Sequence, residues 1–162
     1  KTIFNLIGPL SSPAQVKRQV IGVFDKKWMK PFAEALKDNG VVHAFIVHSE
    51  DGMDEISPFA KTNVVELKDK TIKEFTIDPK TFGINSSNKE NLKGKNAEYN
   101  AEKIIEIFKG KKNEFSQSVA LNVAAGLIVS DKENDFKISY EKATNHLNSG
   151  NVFQHLVKIQ SN

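Results

Sequence analysis

Between residues 18 and 47 the chain switches from one hydrophobic pattern to another and back. Residues 18–24, Arg-Gln-Val-Ile-Gly-Val-Phe, read as a short buried strand, with Asp25 following in the position of a helix N-cap. From residue 26 to 39 the apolar residues Trp28, Met29, Phe32, Ala33 and Leu36 recur at helical spacing, and Gly40 stops the pattern as a C-cap glycine does. Pro31 suits only a first turn, so a tighter turn is expected before the regular helix begins near it. Residues 41–47 are nearly continuously apolar, as in a strand covered on both faces. They complete a strand-helix-strand unit whose connection should be parallel and right-handed.

After a loop over residues 49–60, stretches 63–67 and 71–77 alternate about Asp69-Lys70, which predicts an antiparallel hairpin. Residues 81–95 are polar, with Gly83 and Gly94 as punctuation and a capping-box pattern from Ser87 to Glu90, and read as an irregular connection. Helices are then expected over 97–108, 114–130, about 136–148 and 152–159. Residues 120–129 are apolar almost all round, which should make the second of these helices the most buried. The expected fold class is α/β: a partial mixed, mostly parallel sheet with a β-hairpin, flanked by helices and ending in a helical C-terminal region. Residues 1–162 are expected to form a single partial α/β domain.

With 162 residues, 39% of them apolar, the chain can close one core without staples. Cysteine is absent, which removes disulfides and thiolate metal sites and fits a reducing compartment, so a cytoplasmic location is expected. The apolar runs fall far short of the roughly 20 residues that span a bilayer, so no membrane partner is expected. The chain starts at Lys1 rather than Met and turns apolar two residues later, which suggests entry in mid-fold and hence a fragment or a processed chain. The net charge is +3 and nearly all of the positive charge is lysine, Arg18 being the single arginine. Nucleic-acid readers rely on arginine forks and interleaved aromatics, so nucleic acid is not the expected partner. Lys109, Lys111 and Lys112 cluster at a helix end, where the helix dipole favours cations.

Ligands in open α/β sheets gather at the carboxyl ends of the strands, where the 41–47 strand delivers His48-Ser-Glu-Asp-Gly-Met-Asp-Glu-Ile-Ser57. Its acids suit Mg²⁺, a hard cation usually held by one or two carboxylates plus substrate phosphates. Asp54 and Glu55 are the foremost candidates. As neighbours in extended chain they point to opposite sides, so they serve either two ions or one ion through water. The plainer alternative is a solvated acidic turn. In residues 1–14, Gly8-Pro9 and Pro13 force a backbone course with little side-chain bulk, which can lie flat against a planar substrate or simply connect two elements. His43 and His48 face opposite sides of their strand, and only His48 lies beside the acidic loop. His146 and His155 sit on helices without a paired acid, there is no Gly-x-Ser-x-Gly elbow, and Gly22 alone does not make a phosphate loop.

Taken in order, TIFNLIGPLSSPA, QVIGVF, DGMDEIS and SVALNVAAGLIV resemble the anthranilate phosphoribosyltransferase family over essentially all 162 residues. The resemblance implies transfer of a phosphoribosyl group from phosphoribosyl pyrophosphate to the amine of anthranilate, in tryptophan biosynthesis, with Mg²⁺ assisting release of pyrophosphate. It implies that Asp54 and Glu55 hold Mg²⁺, that Gly8 and Pro9 line the anthranilate site, and that the intact enzyme is a homodimer. Ser11-Ser12 stands where the family usually has Thr-Asn, and Lys70 where a hairpin glycine is common. The family's N-terminal helical domain, Gly-Thr-Gly-Gly-Asp loop, Lys-His-Gly-Asn stretch and anthranilate-binding arginine are not in residues 1–162. This chain is therefore expected to be inactive alone and to need the missing N-terminal half as partner. Two alternatives remain at this stage: a pyrimidine nucleoside phosphorylase-like enzyme, disfavoured by the acidic pair, and a non-catalytic homologue that binds nucleic acid through its lysines.

Overall fold

Strand β1 (Arg18–Gly22) lies parallel to β2 (His43–Ser49), with Arg18 opposite His43 and Gly22 opposite Val47. The computed structural model describes residues 4–11, 13–86 and 88–161. The link between the two strands is the expected tight turn, a 3-10 segment at Lys26–Trp28 capped by the Asp25 side chain, followed by α2 (Met29–Asp38). Pro31 falls in the first turn of α2, where its missing N–H has no helical partner to lose.

β3 (Thr62–Lys68) runs antiparallel to β2, and β4 (Thr71–Ile77) antiparallel to β3, giving the sheet order β1-β2-β3-β4. The sheet is mixed and carries the hairpin, as the patterning predicts, but the balance differs from the mostly parallel one expected. One pairing is parallel and two are antiparallel. The cause is β3: it returns against β2 after a 12-residue loop that carries no crossover helix, as an antiparallel return needs none. The hairpin turns at Asp69 and Lys70, both with positive φ, 48° and 66°, the handedness that matches strand twist.

β2 is buried on both faces, and its alternation feeds two cores. Ala44 and Ile46 pack with Met29, Phe32, Ala33 and Leu36 of α2. Phe45 and Val47 face α4 (Glu114–Val129) and α5 (Phe136–Asn148) through Leu121, Ala124, Ala125, Tyr140 and Leu147. α4 buries eight residues, more than any other helix described, in line with its all-round apolar sequence. α3 (Ala97–Phe108) and α6 (Asn151–Gln160) pack outside this layer. Between β4 and α3 the connection holds only 3-10 turns, Pro79–Phe82 and Lys89–Leu92. Ser87 of the anticipated capping box lies outside the described residues. Asn88 caps the second turn instead, accepting from the Glu90 N–H.

One expectation fails outright. The Gly8-Pro9 stretch is not an open loop but the end of a short helix, α1 (Phe4–Leu10). Pro9 lies in its last turn, where it brings no N–H to the helical ladder. Asn39, beyond α2, donates to the Leu10 carbonyl at 3.2 Å and ties the two helices together.

Candidate active site

The acidic loop between β2 and β3 is heavily cross-braced. The Ser49 N–H donates to the Met53 carbonyl and Gly52 to Ser49, both at 2.9 Å, with Gly52 at φ 90°. The Asp51 side chain is 3% exposed and is the hub of the loop. It accepts from the Ser57 hydroxyl at 2.7 Å and the Met53 N–H at 3.3 Å, with Lys89 Nζ at 3.4 Å. Burial works against its ionisation. The hydrogen bonds from Ser57, Ser49 and Met53, with the charge of Lys89, prevail and hold the carboxyl below its usual range. The sequence made every acid of this loop well placed, with Asp54 and Glu55 foremost, and the structure commits Asp51 to holding the loop.

Asp54 and Glu55 are exposed, and neither carboxylate has a hydrogen bond or ion pair among the described residues. Both line a concavity of about 520 Å³ at the carboxyl ends of β1 and β2, walled by Val20, Gly22, Val47 and, from α4, Ser118 and Asn122. Two close contacts fix their backbone. A Cβ placed on Gly22 would stand 1.5 Å from the Asp54 carbonyl oxygen, so β1 reaches the loop only because residue 22 is glycine. On the other side, Ile56 is fully buried and its N–H and carbonyl are both bonded to the Asn122 side chain, at 3.0 and 3.1 Å. Neither contact was foreseen, because each joins residues 32 to 66 apart in sequence.

The donor set suits Mg²⁺: two unpaired carboxylate groups, solvent on one side for retained waters, and room for a phosphorylated substrate. Among the described residues no group of three or more His, Asp or Glu side chains forms a complete protein cage.

Gly8 and Pro9 are elsewhere. Pro9 lines a separate concavity of about 380 Å³ with Lys17, Gln19, Leu36 and Asn39, near the start of β1 rather than its end, and Gly8 is exposed. The structure does not bring them to the acid pair. His48 Nδ1 donates to the Val23 carbonyl at 2.8 Å, just beyond Gly22. His43, dismissed from the sequence, is 1% exposed and sits between Glu66 Oε1 at 2.9 Å and Asp131 Oδ1 at 3.4 Å. Arg18 completes that cluster at 2.5 Å from Asp131. It joins the amino end of the parallel strands to the α4–α5 turn, away from the acid pair. In the C-terminal lysine cluster, Lys111 pairs with Glu106 at 2.8 Å and Lys109 stacks on Phe153.

In open α/β sheets ligands bind at the carboxyl ends of the strands, and that is where this acidic cleft lies. The chain belongs to the glycosyl transferase family, a/b domain, whose model matches residues 1–153. It is 55% identical to the anthranilate phosphoribosyltransferase of Pelagibacter ubique (strain HTCC1062), over 99% of this chain and 49% of that protein. To the anthranilate phosphoribosyltransferase of Azospirillum brasilense it is 45% identical, over 98% and 46%. The crystal structure of the Thermus thermophilus enzyme of that name superposes with a TM-score of 0.87 at 33% identity, covering 98% of this chain and 46% of that one. The Saccharomyces cerevisiae enzyme in complex with PRPP and Mg gives 0.82 at 27% identity, covering 95% and 45%. The chain spans about half the length of the curated relatives it matches.

Proposed function

We propose that this chain is the metal-binding part of an anthranilate phosphoribosyltransferase, with Asp54 and Glu55 holding Mg²⁺ under phosphoribosyl pyrophosphate. The observation that carries the reading is the pair of free carboxylates at the strand ends, in a chain 55% identical to an enzyme of that activity. When bound, Mg²⁺ neutralises charge on the departing pyrophosphate. The chain's own part is positioning: a braced loop presents two carboxylates at a fixed place, and the cleft beside α4 leaves room for the phosphorylated sugar. The acceptor needs no protein base for attack, because the aniline nitrogen of anthranilate already has a free lone pair.

In this reading the complete enzyme serves tryptophan biosynthesis in the cytoplasm as a homodimer, and residues 1–162 are a single partial α/β domain that is inactive alone. The assignment of Gly8 and Pro9 to the anthranilate side rests on resemblance alone. A pyrimidine nucleoside phosphorylase or a nucleic-acid-binding homologue is not favoured.

The test is to assay the complete gene product that contains these residues with phosphoribosyl pyrophosphate and anthranilate. Asp54→Asn is expected to lower kcat/KM roughly 10²-fold and to raise the Mg²⁺ requirement. Turnover by residues 1–162 alone, or phosphate-dependent release of a free base without Mg²⁺, would contradict the reading.

A further inference from the structure

We infer that Asn122 is the positioning residue of the acidic pair, a role that rests on reading Asp54 and Glu55 as the metal ligands. Asn122 stands on α4, 66 residues from the loop it touches. Its Oδ1 accepts from the Ile56 N–H at 3.0 Å, and its Nδ2 donates to the Ile56 carbonyl at 3.1 Å and to the Ser118 carbonyl, one helical turn earlier, at 2.9 Å. The first two bonds grip both polar groups of one residue, so they fix its orientation as well as its position. The third bond anchors the amide to its own helix and sets which end of it meets the N–H.

Glu55 is joined directly to Ile56, and Asp54 is one peptide further on. Ile56 itself is fully buried in the core between sheet and α4. The hydrophobic anchor secures the side chain, and Asn122 secures the peptide that follows the ligands. An apolar residue of similar size at 122 would leave the Ile56 N–H and carbonyl without partners in a water-poor place, and the loop would relax to find water. The two carboxylates would survive, but displaced. Gly22 limits the loop from the opposite side, so the acid pair sits between a backbone stop on β1 and a two-bond clamp on α4.

The experiment compares Asn122→Leu, Asp54→Asn and Gln117→Ala in the complete gene product. Gln117 serves as control because it also makes a long-range bond from α4, accepting from the Ser86 hydroxyl at 2.6 Å, away from the acidic loop. Mn²⁺ is the probe ion, and amide hydrogen exchange of the 51–57 segment is read in the metal-free protein. Asn122→Leu is expected to speed exchange at Ile56 and to weaken Mn²⁺ binding by about 10- to 100-fold, the usual cost of losing a group that orients metal ligands. Gln117→Ala should do neither. Faster exchange at Ile56 with unchanged Mn²⁺ affinity would overturn the inference while leaving the metal ligands in place, and so would unchanged exchange. Mn²⁺ binding insensitive to Asp54→Asn would remove the metal reading and the inference with it.

Discussion

Gly22→Ala adds a single methyl group, and the structure says where that group would go. The new carbon would lie 1.5 Å from the Asp54 carbonyl oxygen and 2.5 Å from its carbonyl carbon. Real Cβ contacts essentially never fall below 3.0 Å, so β1 and the loop must part by about 1.5 Å or more. The opposing atoms are backbone, not the end of a flexible side chain, and the loop cannot swing away freely. Met53, one residue before Asp54, is bonded to Ser49 and Asp51, and Ile56, two residues after it, is bonded to Asn122. Such overpacking costs about 1–3 kcal/mol. For a domain of this size that lowers the melting temperature by roughly 2–4 °C per kcal/mol. The effect on the proposed metal site is expected to be larger, because losing a contact that orients metal ligands weakens metal affinity by about 10- to 100-fold. Thermal unfolding followed by circular dichroism, with Mn²⁺ titration of the same samples, reads both effects. An alanine variant that melts with the wild type and binds Mn²⁺ equally well would refute the argument that the Gly22 contact sets the place of Asp54.

Two further outcomes follow from the loops. Lys70 holds φ at 66° in the hairpin turn, a conformation that costs a side chain about 1 kcal/mol or more, so Lys70→Gly should stabilise the protein by about 0.5–1 kcal/mol after the extra freedom of unfolded glycine is counted. A lower urea midpoint for that variant would show that the turn is not strained. Asp51→Asn should destabilise by about 1–3 kcal/mol at neutral pH, since charge-assisted bonds to Ser57 and Met53 are weakened in a buried place. The folded carboxyl titrates below its ordinary 3.8, so its contribution is fully present above that pH and disappears as pH falls through the lower folded value. The gap between wild type and variant in denaturant melts should therefore close below pH 3.8 and stay constant above it.

Most of the frame was legible because its signals are local. The helix that stops at Gly40, the hairpin about Asp69-Lys70 and the helices from 97 and 136 each carry their punctuation within a few residues, and they fall where the spacing put them. The parallel pairing of β1 with β2 followed from the helix between them. What failed had competing local signals: Gly8 and Pro9 argue for a loop, yet a helix can end on them. The location of the acid pair was also legible, as an acidic run after a buried strand. What holds it there was not, because Gly22 and Asn122 act across the fold. An asparagine in an apolar helix looks like a defect until Ile56 is placed opposite it, and a glycine in a strand looks like weakness until Asp54 is.

The bond between Asn122 and Ile56 also sets when the cleft comes into being. β3 and β4 can pair through a turn of two residues, among the fastest events open to a chain, whereas Ile56 must wait for a helix 66 positions later. A chain with its hairpin formed but α4 undocked would have strands and no ordered cleft. On the proposed reading, uptake of a metal ion by the acidic loop waits for α4 to dock, and in a refolding experiment it should lag behind the appearance of sheet.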